Sequence, residues 1–302
     1  MRLLYISLFL CLPVIGIAQH QSVFSQYYYN KFLLNPAYAG SDKALNANLH
    51  QRNQWVGFEG APNSSFIGVH SPMKNDNVGL GVNYLNERFG TFRANRLDVS
   101  YSYSLDIGDS RLSFGMSGGI EHLTNGLSDV NTVEQGDQVF AASEQFVNPD
   151  FAFGLAFTSD DWFFSFSMPT LMSQRLGPGI SYRGDNVNML IHAGKSFVLD
   201  RMEEFKLKSF FTGRIHSAST MQFDIGAILE YQSMFDFGLM VRTQESIAVM
   251  ARVVVPQIPQ LRVGYSYDIT TNTLRQFSNG THEVGISYVF LYKVNAVNPA
   301  TF

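Results

Sequence analysis

The chain has one cysteine, little charge and no long apolar run beyond its first residues. Cys11 lies within the N-terminal 18 residues, so a chain cleaved after Ala18 has no disulfide, no cysteine-ligated metal and no thiol nucleophile. Charged residues are only 15% of the sequence and the formal net charge is −4, which gives no indication of the basic surface expected of a nucleic-acid-binding protein. No later apolar run approaches the roughly 20 residues that a membrane-spanning helix needs.

The first 18 residues have the layout of a secretory signal peptide. Arg2 supplies a positive charge, an apolar run covers 3–17, and Gly16 and Ala18 occupy the −3 and −1 positions before Gln19. The apolar run is shorter than a membrane-spanning helix. We therefore predict an exported chain cleaved after residue 18, with an uncleaved anchor as the alternative.

Beyond residue 44 the sequence alternates between large apolar and small polar residues, with a period of two that is typical of β-strands. The segment 96–105 shows this most clearly, and 111–120, 150–158, 222–231 and 261–268 repeat it. In 96–105 the apolar positions are Leu97, Val99, Tyr101, Tyr103 and Leu105, and the polar positions are Arg96, Asp98, Ser100, Ser102 and Ser104.

The composition of the two faces distinguishes a membrane barrel from a soluble β-sandwich. The apolar face is bulky and aromatic, in a chain with 26 Phe and 14 Tyr, whereas the other face is dominated by Gly, Ser, Asn and Asp. Lipid outside and a polar lumen inside give this pattern, and lipid requires that the strands close into a barrel. We predict an all-β transmembrane antiparallel β-barrel of about fourteen strands over 44–292.

Loop lengths predict the orientation of the barrel. The predicted even-numbered connections are mostly short, whereas the longest connections, 124–149, 170–186 and 271–280, are odd-numbered; the eleventh is short despite its odd number. Short periplasmic turns and long outer loops produce this parity when both termini are periplasmic. The segment 19–43 would then pack at the periplasmic mouth or in the lumen, with a disordered leader as the alternative, and 293–302 would form a C-terminal tail.

Few residues suggest catalysis. Gly115–Gly119 matches a nucleophile elbow, but that motif needs a strand–turn–helix context, and here Ser117 lies within an alternating strand. The seven histidines are scattered, without the short spacing of a local metal site. We therefore predict no catalytic residue, no metal and no cofactor, with small residues in 115–119 allowing close packing of the strand.

Five short motifs stand out near the two ends of the predicted exported chain. They are Gln26-Tyr27-Tyr28-Tyr29-Asn30, Asn35-Pro36-Ala37-Tyr38-Ala39-Gly40, Arg52-Asn53-Gln54-Trp55, Gly264-Tyr265-Ser266-Tyr267-Asp268 and Gly280-Thr281-His282-Glu283. Taken together, these motifs resemble the PorP/SprF family of outer-membrane proteins over about residues 25–292. Within them, the residues that we take as structural are Asn30, Asn35, Pro36, Tyr38, Gly40, Arg52, Trp55, Tyr265, Tyr267, Asp268, His282 and Glu283.

The resemblance implies a non-enzymatic outer-membrane barrel associated with the type IX secretion system. Its implied partners are outer-membrane lipid and either a secreted protein with a C-terminal sorting domain, such as a gliding adhesin, or other secretion subunits. The outer loops 124–149 and 170–186 and the periplasmic rim are the predicted contact regions. A passive or substrate-specific pore is the main alternative, and a lipid-acting enzyme is the other.

Two expectations concern the lumen. Because Asn35 precedes a proline, the chain should turn sharply there, and Asn30, Asn35 and Tyr38 would hydrogen-bond lumen residues such as Arg52. Lumen-facing charges would pair in a network, since buried charges require partners. The predicted members are Arg52, Arg96, Asp98, Asp224, Glu230, Arg242, Arg262, Asp268 and Glu283.

Overall fold

The computed structural model describes residues 23–73, 76–126, 144–172, 174–177, 180–183, 188–217 and 220–290. The predicted signal peptide 1–18, the tail 293–302 and most of the predicted outer-loop contact regions lie outside the described residues. Among the residues described, no helix is long and apolar enough to cross a membrane.

Fourteen of the strands that the structure describes close into one antiparallel barrel, which confirms the predicted fold class. The barrel strands are β1 (Asn46–Asn53), β2 (Asn63–Pro72), β3 (Val78–Phe89), β4 (Phe92–Ile107), β5 (Ser110–Asn125), β6 (Glu144–Thr158), β7 (Trp162–Met168), β10 (Met189–Val198), β11 (Phe205–Ser217), β12 (Thr220–Tyr231), β13 (Phe235–Arg242), β14 (Ser246–Val255), β15 (Ile258–Thr270) and β16 (Thr281–Val289). Each strand pairs with its neighbours in chain order, and β1 closes the ring against β16 over eight residue pairs from Asn46↔Val289 to Asn53↔His282.

The alternation along each strand sets which side chains face outward. In β4, Val99 is 57% exposed, while the intervening Ser100 is 1% exposed. In β13 every second residue is exposed in the same way, from Phe235 to Val241. A closed ring pairs the backbone N–H and C=O groups of every strand, which lipid cannot do. Bulky apolar side chains cover the outside of this ring, and small polar side chains face the lumen.

Two strand boundaries differ from the sequence-based prediction by more than three residues, and one predicted loop contains a hairpin. β6 begins at Glu144 rather than residue 150, because Pro149 pairs with β5 on one side while β7 pairs with β6 only from Phe153 onward. The missing backbone N–H of Pro149 therefore interrupts no hydrogen bond between β6 and β7. β1 ends at Asn53, which leaves Trp55 in the following loop. Within the predicted loop 170–186, β8 (Gln174–Gly177) and β9 (Ile180–Arg183) form a separate hairpin.

All six turns on one end of the barrel are short, from 108–109 and 256–257 up to 199–204. The chain enters β1 and leaves β16 at this same end, which we call the turn end. The strand ends that the longer connections join, including those of 126–143, 169–188 and 271–280, lie at the other end, the loop end.

The core of the molecule lies inside the barrel, around the N-terminal segment. Three short 3-10 helices, Gln26–Tyr28, Lys31–Leu33 and Pro36–Tyr38, carry this segment through the lumen. Phe24, Tyr27, Phe32 and Tyr38 are each at most 4% exposed. The segment Val23–Lys43, which we call the plug, therefore supplies much of the apolar interior that a polar-walled barrel lacks.

Candidate functional site: the plugged lumen

The plug turns at Asn35, where local chemistry begins its last helix. Asn35 has an extended backbone (φ −154°, ψ 119°), Pro36 follows at the first helical position, and the Asn35 Oδ1 accepts a hydrogen bond from the Ala37 N–H at 2.8 Å. An asparagine cap followed by proline is a favoured way to begin a helix. The sequence Asn-Pro-Ala-Tyr thus sets a rigid turn inside the barrel.

The same asparagine joins the plug to the barrel wall. Its Nδ2 donates hydrogen bonds to the carbonyl oxygens of Leu155 in β6 (3.0 Å) and Phe166 in β7 (3.1 Å). The approach is close because Gly154 has no side chain: a Cβ there would lie 1.8 Å from the Asn35 Oδ1. Asn35 therefore contacts wall strands rather than Arg52, the partner that the sequence led us to expect.

Gly40, near the end of the plug, packs against β2 and β3. Its φ of +72° is a conformation that favours glycine, and a Cβ would lie 2.9 Å from both the Gly79 Cα and the Pro72 N. The Gly40 N–H donates to the His70 Nδ1 at 3.1 Å. Both the backbone angle and the surrounding space therefore require glycine at position 40.

The start of the plug is held by a buried ionic cluster on β1, β15 and β16. Arg52, 1% exposed, contacts Asp268 (Nη2–Oδ2, 2.7 Å) and Glu283 (Nη1–Oε2, 3.1 Å). Ser25 completes the cluster: its O–H donates to Asp268 at 2.7 Å and accepts from Arg52 at 3.0 Å, and its N–H donates to Glu283 at 2.7 Å. The residue of the plug that bonds Arg52 is thus Ser25.

The other residues expected to bond Arg52 lie elsewhere along the plug. The Asn30 Nδ2 lies 3.4 Å from the His50 Nε2. Tyr38 is buried beside Phe32, Ala37 and Ala156. Arg52 is therefore not the lumen partner of these residues, because contacts across the lumen depend on how far the chain travels between turns, which spacing in the sequence does not give.

A second buried ionic cluster, on β11, β12 and β13, also holds the start of the plug. Arg242 on β13 contacts Asp224 on β12 (Nε–Oδ1, 3.1 Å), and Arg214 on β11 contacts the same carboxylate at 2.6 Å. Arg242 also donates to the carbonyl oxygen of Phe24 at 3.1 Å. Glu245 links the two clusters, with its Oε1 lying 3.4 Å from Arg242 and 3.9 Å from Arg52.

The remaining charges of the predicted network lie apart from these two clusters. Arg96 contacts Asp98 at 3.1 Å and Asp150 at 3.4 Å. Glu230 pairs with Lys208. Arg262 makes no ion pair with any residue that the structure describes.

Tyr27 is the most buried aromatic residue of the plug. It is 0% exposed and packs edge-on against His192 and Phe210, at centroid distances of 5.4 and 6.0 Å. Its hydroxyl accepts a hydrogen bond from Thr212 at 2.9 Å, and the Arg214 guanidinium lies 5.1 Å from its ring centroid. Tyr27 therefore joins the apolar centre of the plug to β10 and β11.

Each of the two C-terminal motifs has residues on both faces of the barrel wall. Asp268 and Glu283 face inward to Arg52, whereas Tyr265, Tyr267 and His282 face outward. The Tyr265 Oη lies 2.7 Å from the His282 Nδ1, and the Tyr267 hydroxyl donates to the carbonyl of Asn279 at 2.9 Å. One half of each motif thus anchors the plug and the other half orders the outer wall.

Trp55 belongs to this outer region. It lies in the loop after β1, with φ +47°, and its N–H donates to the Thr281 Oγ1 at 3.1 Å. The neighbouring Val56 exchanges backbone hydrogen bonds with the β15–β16 loop, to Gly280 at 2.8 Å and from Asn279 at 2.7 Å. The loops 54–62 and 271–280 are therefore one hydrogen-bonded unit.

No catalytic constellation is found among the described residues. Ser117 lies in the middle of β5, without the strand–turn–helix geometry of a nucleophile elbow. Gly115, at the start of the same motif, packs against the plug, since a Cβ there would lie 2.1 Å from the Ala37 N. Within the described part of the chain, no group of three or more His, Cys, Asp or Glu residues could hold a metal ion.

Comparison with known proteins identifies the family. The family model for "Type IX secretion system membrane protein PorP/SprF" matches residues 16–288. The chain belongs to the PorP/SprF family. The match covers the plug and ends one residue before the end of β16, so it includes plug and barrel together. No curated protein matches the chain.

Solved structures resemble this PorP/SprF protein in fold. The crystal structure of the Acinetobacter baumannii outer membrane protein Omp33 has a TM-score of 0.51 at 8% identity, with 82% of this chain and 98% of that chain covered. A Pseudomonas aeruginosa FadL homologue has a TM-score of 0.44 at 11% identity, covering 82% of this chain and 89% of that chain. The first likeness shows an outer-membrane-type barrel, and the second is too weak to add to it.

The residues that sequence reasoning missed are mainly lumen-facing glycines and Ser25. Glycines on six of the strands face the plug so closely that an added Cβ would contact it. Glycines recur at even intervals on the polar face of the strands, and this spacing could have indicated close packing against the plug. A strand that lines only water does not need glycine at these positions. The glycines that face the plug are Gly68, Gly79, Gly81, Gly115, Gly154, Gly264 and Gly285.

Proposed function

We propose that this PorP/SprF protein is a non-enzymatic docking barrel of the type IX secretion system. It would bind a secreted surface protein with a C-terminal sorting domain, or another secretion component, at the outer membrane. In this proposal residues 1–18 are a cleaved signal peptide, both termini are periplasmic and the loop end faces outward. Family membership supports the secretion role, and the plugged lumen favours docking over conduction.

The single observation that carries the proposal is the path of the plug. Through Ser25 it binds β1, β15 and β16, and through Asn35 it binds β6 and β7. β6 and β15 are seven strands apart in the fourteen-stranded ring, so the plug crosses the lumen from wall to wall. A substrate-conducting pore requires the space that the plug occupies.

The loop end carries an exposed apolar surface suited to a protein partner. Phe277 is 64% exposed, Phe58 43% and Val56 37%, and all three lie on the hydrogen-bonded loops 54–62 and 271–280. Exposed aromatic residues outside the membrane-facing wall mark protein interaction sites more often than chance would give. Because these loops are tied together, such a partner would meet a preformed surface.

The test is capture of type IX secretion substrates by the barrel. We expect crosslinking in cells to recover a secreted protein with a sorting domain or a secretion subunit, and Phe58→Ser with Phe277→Ser to reduce recovery at least fivefold. Met202→Ser is the matched control, since Met202 is 81% exposed in a turn-end connection. Unchanged secretion and surface protein composition in a deletion strain would refute the proposal.

A further inference from the structure

The outer wall of β2 to β5 changes from apolar to polar at one level near the loop end. Outward-facing residues below this level are apolar and exposed, such as Ile67, Tyr84, Leu97 and Ile120. The next two outward positions on each strand are polar. In strand order these are Ser65 and Asn63, Asn86 and Arg88, Asn95 and Arg93, and His122 and Thr124.

The register shows that these residues form two continuous rows. One row runs Ser65, Asn86, Asn95 and His122, and the other runs Asn63, Arg88, Arg93 and Thr124, each residue directly opposite the next. The rows begin where the apolar wall ends, which is the depth of lipid headgroups. We call these two rows the polar belt.

Arg88 and Arg93 are the charged centre of the polar belt. They lie directly opposite each other on β3 and β4, and both are exposed. Neither forms an ion pair with any residue that the structure describes. Like charges directly opposite each other destabilise a sheet, so the isolated protein gains nothing in stability from this pair.

The neighbouring amides are ordered beside the two arginines. The Asn95 Oδ1 accepts hydrogen bonds from the Tyr84 hydroxyl at 2.8 Å and the Asn86 Nδ2 at 2.7 Å. These bonds hold the row next to the arginines in one arrangement. A preorganised row of amides beside two guanidinium groups is suited to a ligand that carries both phosphate and hydroxyl groups.

We propose that the polar belt binds the phosphorylated sugar headgroup of an outer-leaflet glycolipid. A phosphate between Arg88 and Arg93 would neutralise both guanidinium groups, which present paired N–H donors that match phosphate oxygens. The lipid's acyl chains would then lie along Tyr84 and Leu97 below. The assignment to the outer leaflet rests on the outward loop end of the proposed function.

Binding of diphosphoryl lipid A to the full-length barrel in nanodiscs tests this proposal. We expect Arg88→Gln and Arg93→Gln each to weaken binding about tenfold, because each removes charge-assisted hydrogen bonds. Arg275→Gln is the control, since Arg275 is an exposed arginine at the same end of the barrel but outside the belt; its binding should not change. Equal affinity for the dephosphorylated lipid, or no effect in the double variant, would overturn the proposal.

Two further measurements distinguish a glycolipid site from a free phosphate site and from a folding defect. Inorganic phosphate alone should bind far more weakly than the lipid, and equal binding would mean a free phosphate site instead. Heat-modified gel migration should be the same for wild type and variants, which shows that the barrel is folded. Partner capture through Phe58 and Phe277 uses different residues, so loss of lipid binding with capture retained would separate the two proposals.

Discussion

Asn35 of the plug lies against Gly154 of β6 so closely that a Cβ on Gly154 would stand 1.8 Å from the Asn35 Oδ1. The Asn35 amide then bonds the carbonyl groups of Leu155 and Phe166 on either side. The plug is therefore fitted to the wall by a glycine and an asparagine far apart in sequence. This contact makes the position of the plug testable by a single substitution.

Gly154→Leu should displace the plug without preventing barrel closure. The new side chain would occupy the position of Asn35, and repacking such an overfilled site costs roughly 1–3 kcal/mol. The chain has no cysteine after residue 18, so Ala37→Cys provides a unique thiol, buried in the wild type. We expect maleimide labelling of this thiol to become at least tenfold faster in the Gly154→Leu background.

Gly118→Leu is the matched control for that experiment. Gly118 lies on the outward face of β5, where an added Cβ would meet Phe151 at an ordinary contact distance of 3.5 Å. Labelling of Ala37→Cys should stay slow in this background. Equal labelling rates in the Gly154 and Gly118 variants would contradict the assigned contact.

Arg52→Gln should destabilise the barrel more than an exposed substitution does. It leaves Asp268 and Glu283, 1% and 0% exposed, without their shared cation, and removing one partner of a buried ion pair costs about 3–5 kcal/mol. Urea unfolding in detergent or vesicles measures this change. Adding Glu283→Gln should recover part of the loss, and strictly additive effects would show that the two side chains are not coupled.

Tyr265→Phe tests the outward half of the C-terminal motifs. It removes the hydroxyl that lies 2.7 Å from the His282 Nδ1, and a hydrogen bond of this kind contributes about 0.5–1.5 kcal/mol to stability. Tyr288→Phe on the same wall is the comparison, because Tyr288 contacts the Phe290 ring. A loss for Tyr288→Phe as large as that for Tyr265→Phe would argue against a specific Tyr265–His282 bond.

Asp200 should titrate below the usual range for an aspartate. Hydrogen bonds from the backbone N–H groups of Phe205, Glu204 and Met202 lower the pKa of its carboxyl. A folded-state pKa below the unfolded value of about 3.9 means that the stabilisation is complete above that pH and is lost as pH falls through the folded value. The Phe205 amide proton shift reports this titration, and a midpoint at or above pH 4 would refute it.

The barrel was predictable because lipid and lumen place opposite demands on alternate residues. In β4, for example, the odd-numbered residues from Leu97 to Leu105 face outward, and the even-numbered residues from Asp98 to Ser104 face inward, as the pattern predicted. The start of β6 was missed because Pro149 normally interrupts a strand, and here it lies where β7 does not reach. The sequence of one strand does not show where its neighbour on either side ends.

The anchoring of the plug could be predicted only in part. The turn at Asn35 follows from local chemistry, since asparagine before proline favours an extended backbone. The pairing of Arg52 with Ser25, Asp268 and Glu283 depends on closure of β1 against β16. That closure joins opposite ends of the chain, and no local pattern gives its register.

Single-channel conductance in planar bilayers tests the central claim most directly. The account predicts that the barrel with its plug gives no stable conductance, because the plug crosses the lumen between β15 and β6. Gly154→Leu should then show openings that the Gly118→Leu control lacks. A steady conductance in the wild-type protein, unchanged by Gly154→Leu, would contradict a plugged docking barrel and support a pore.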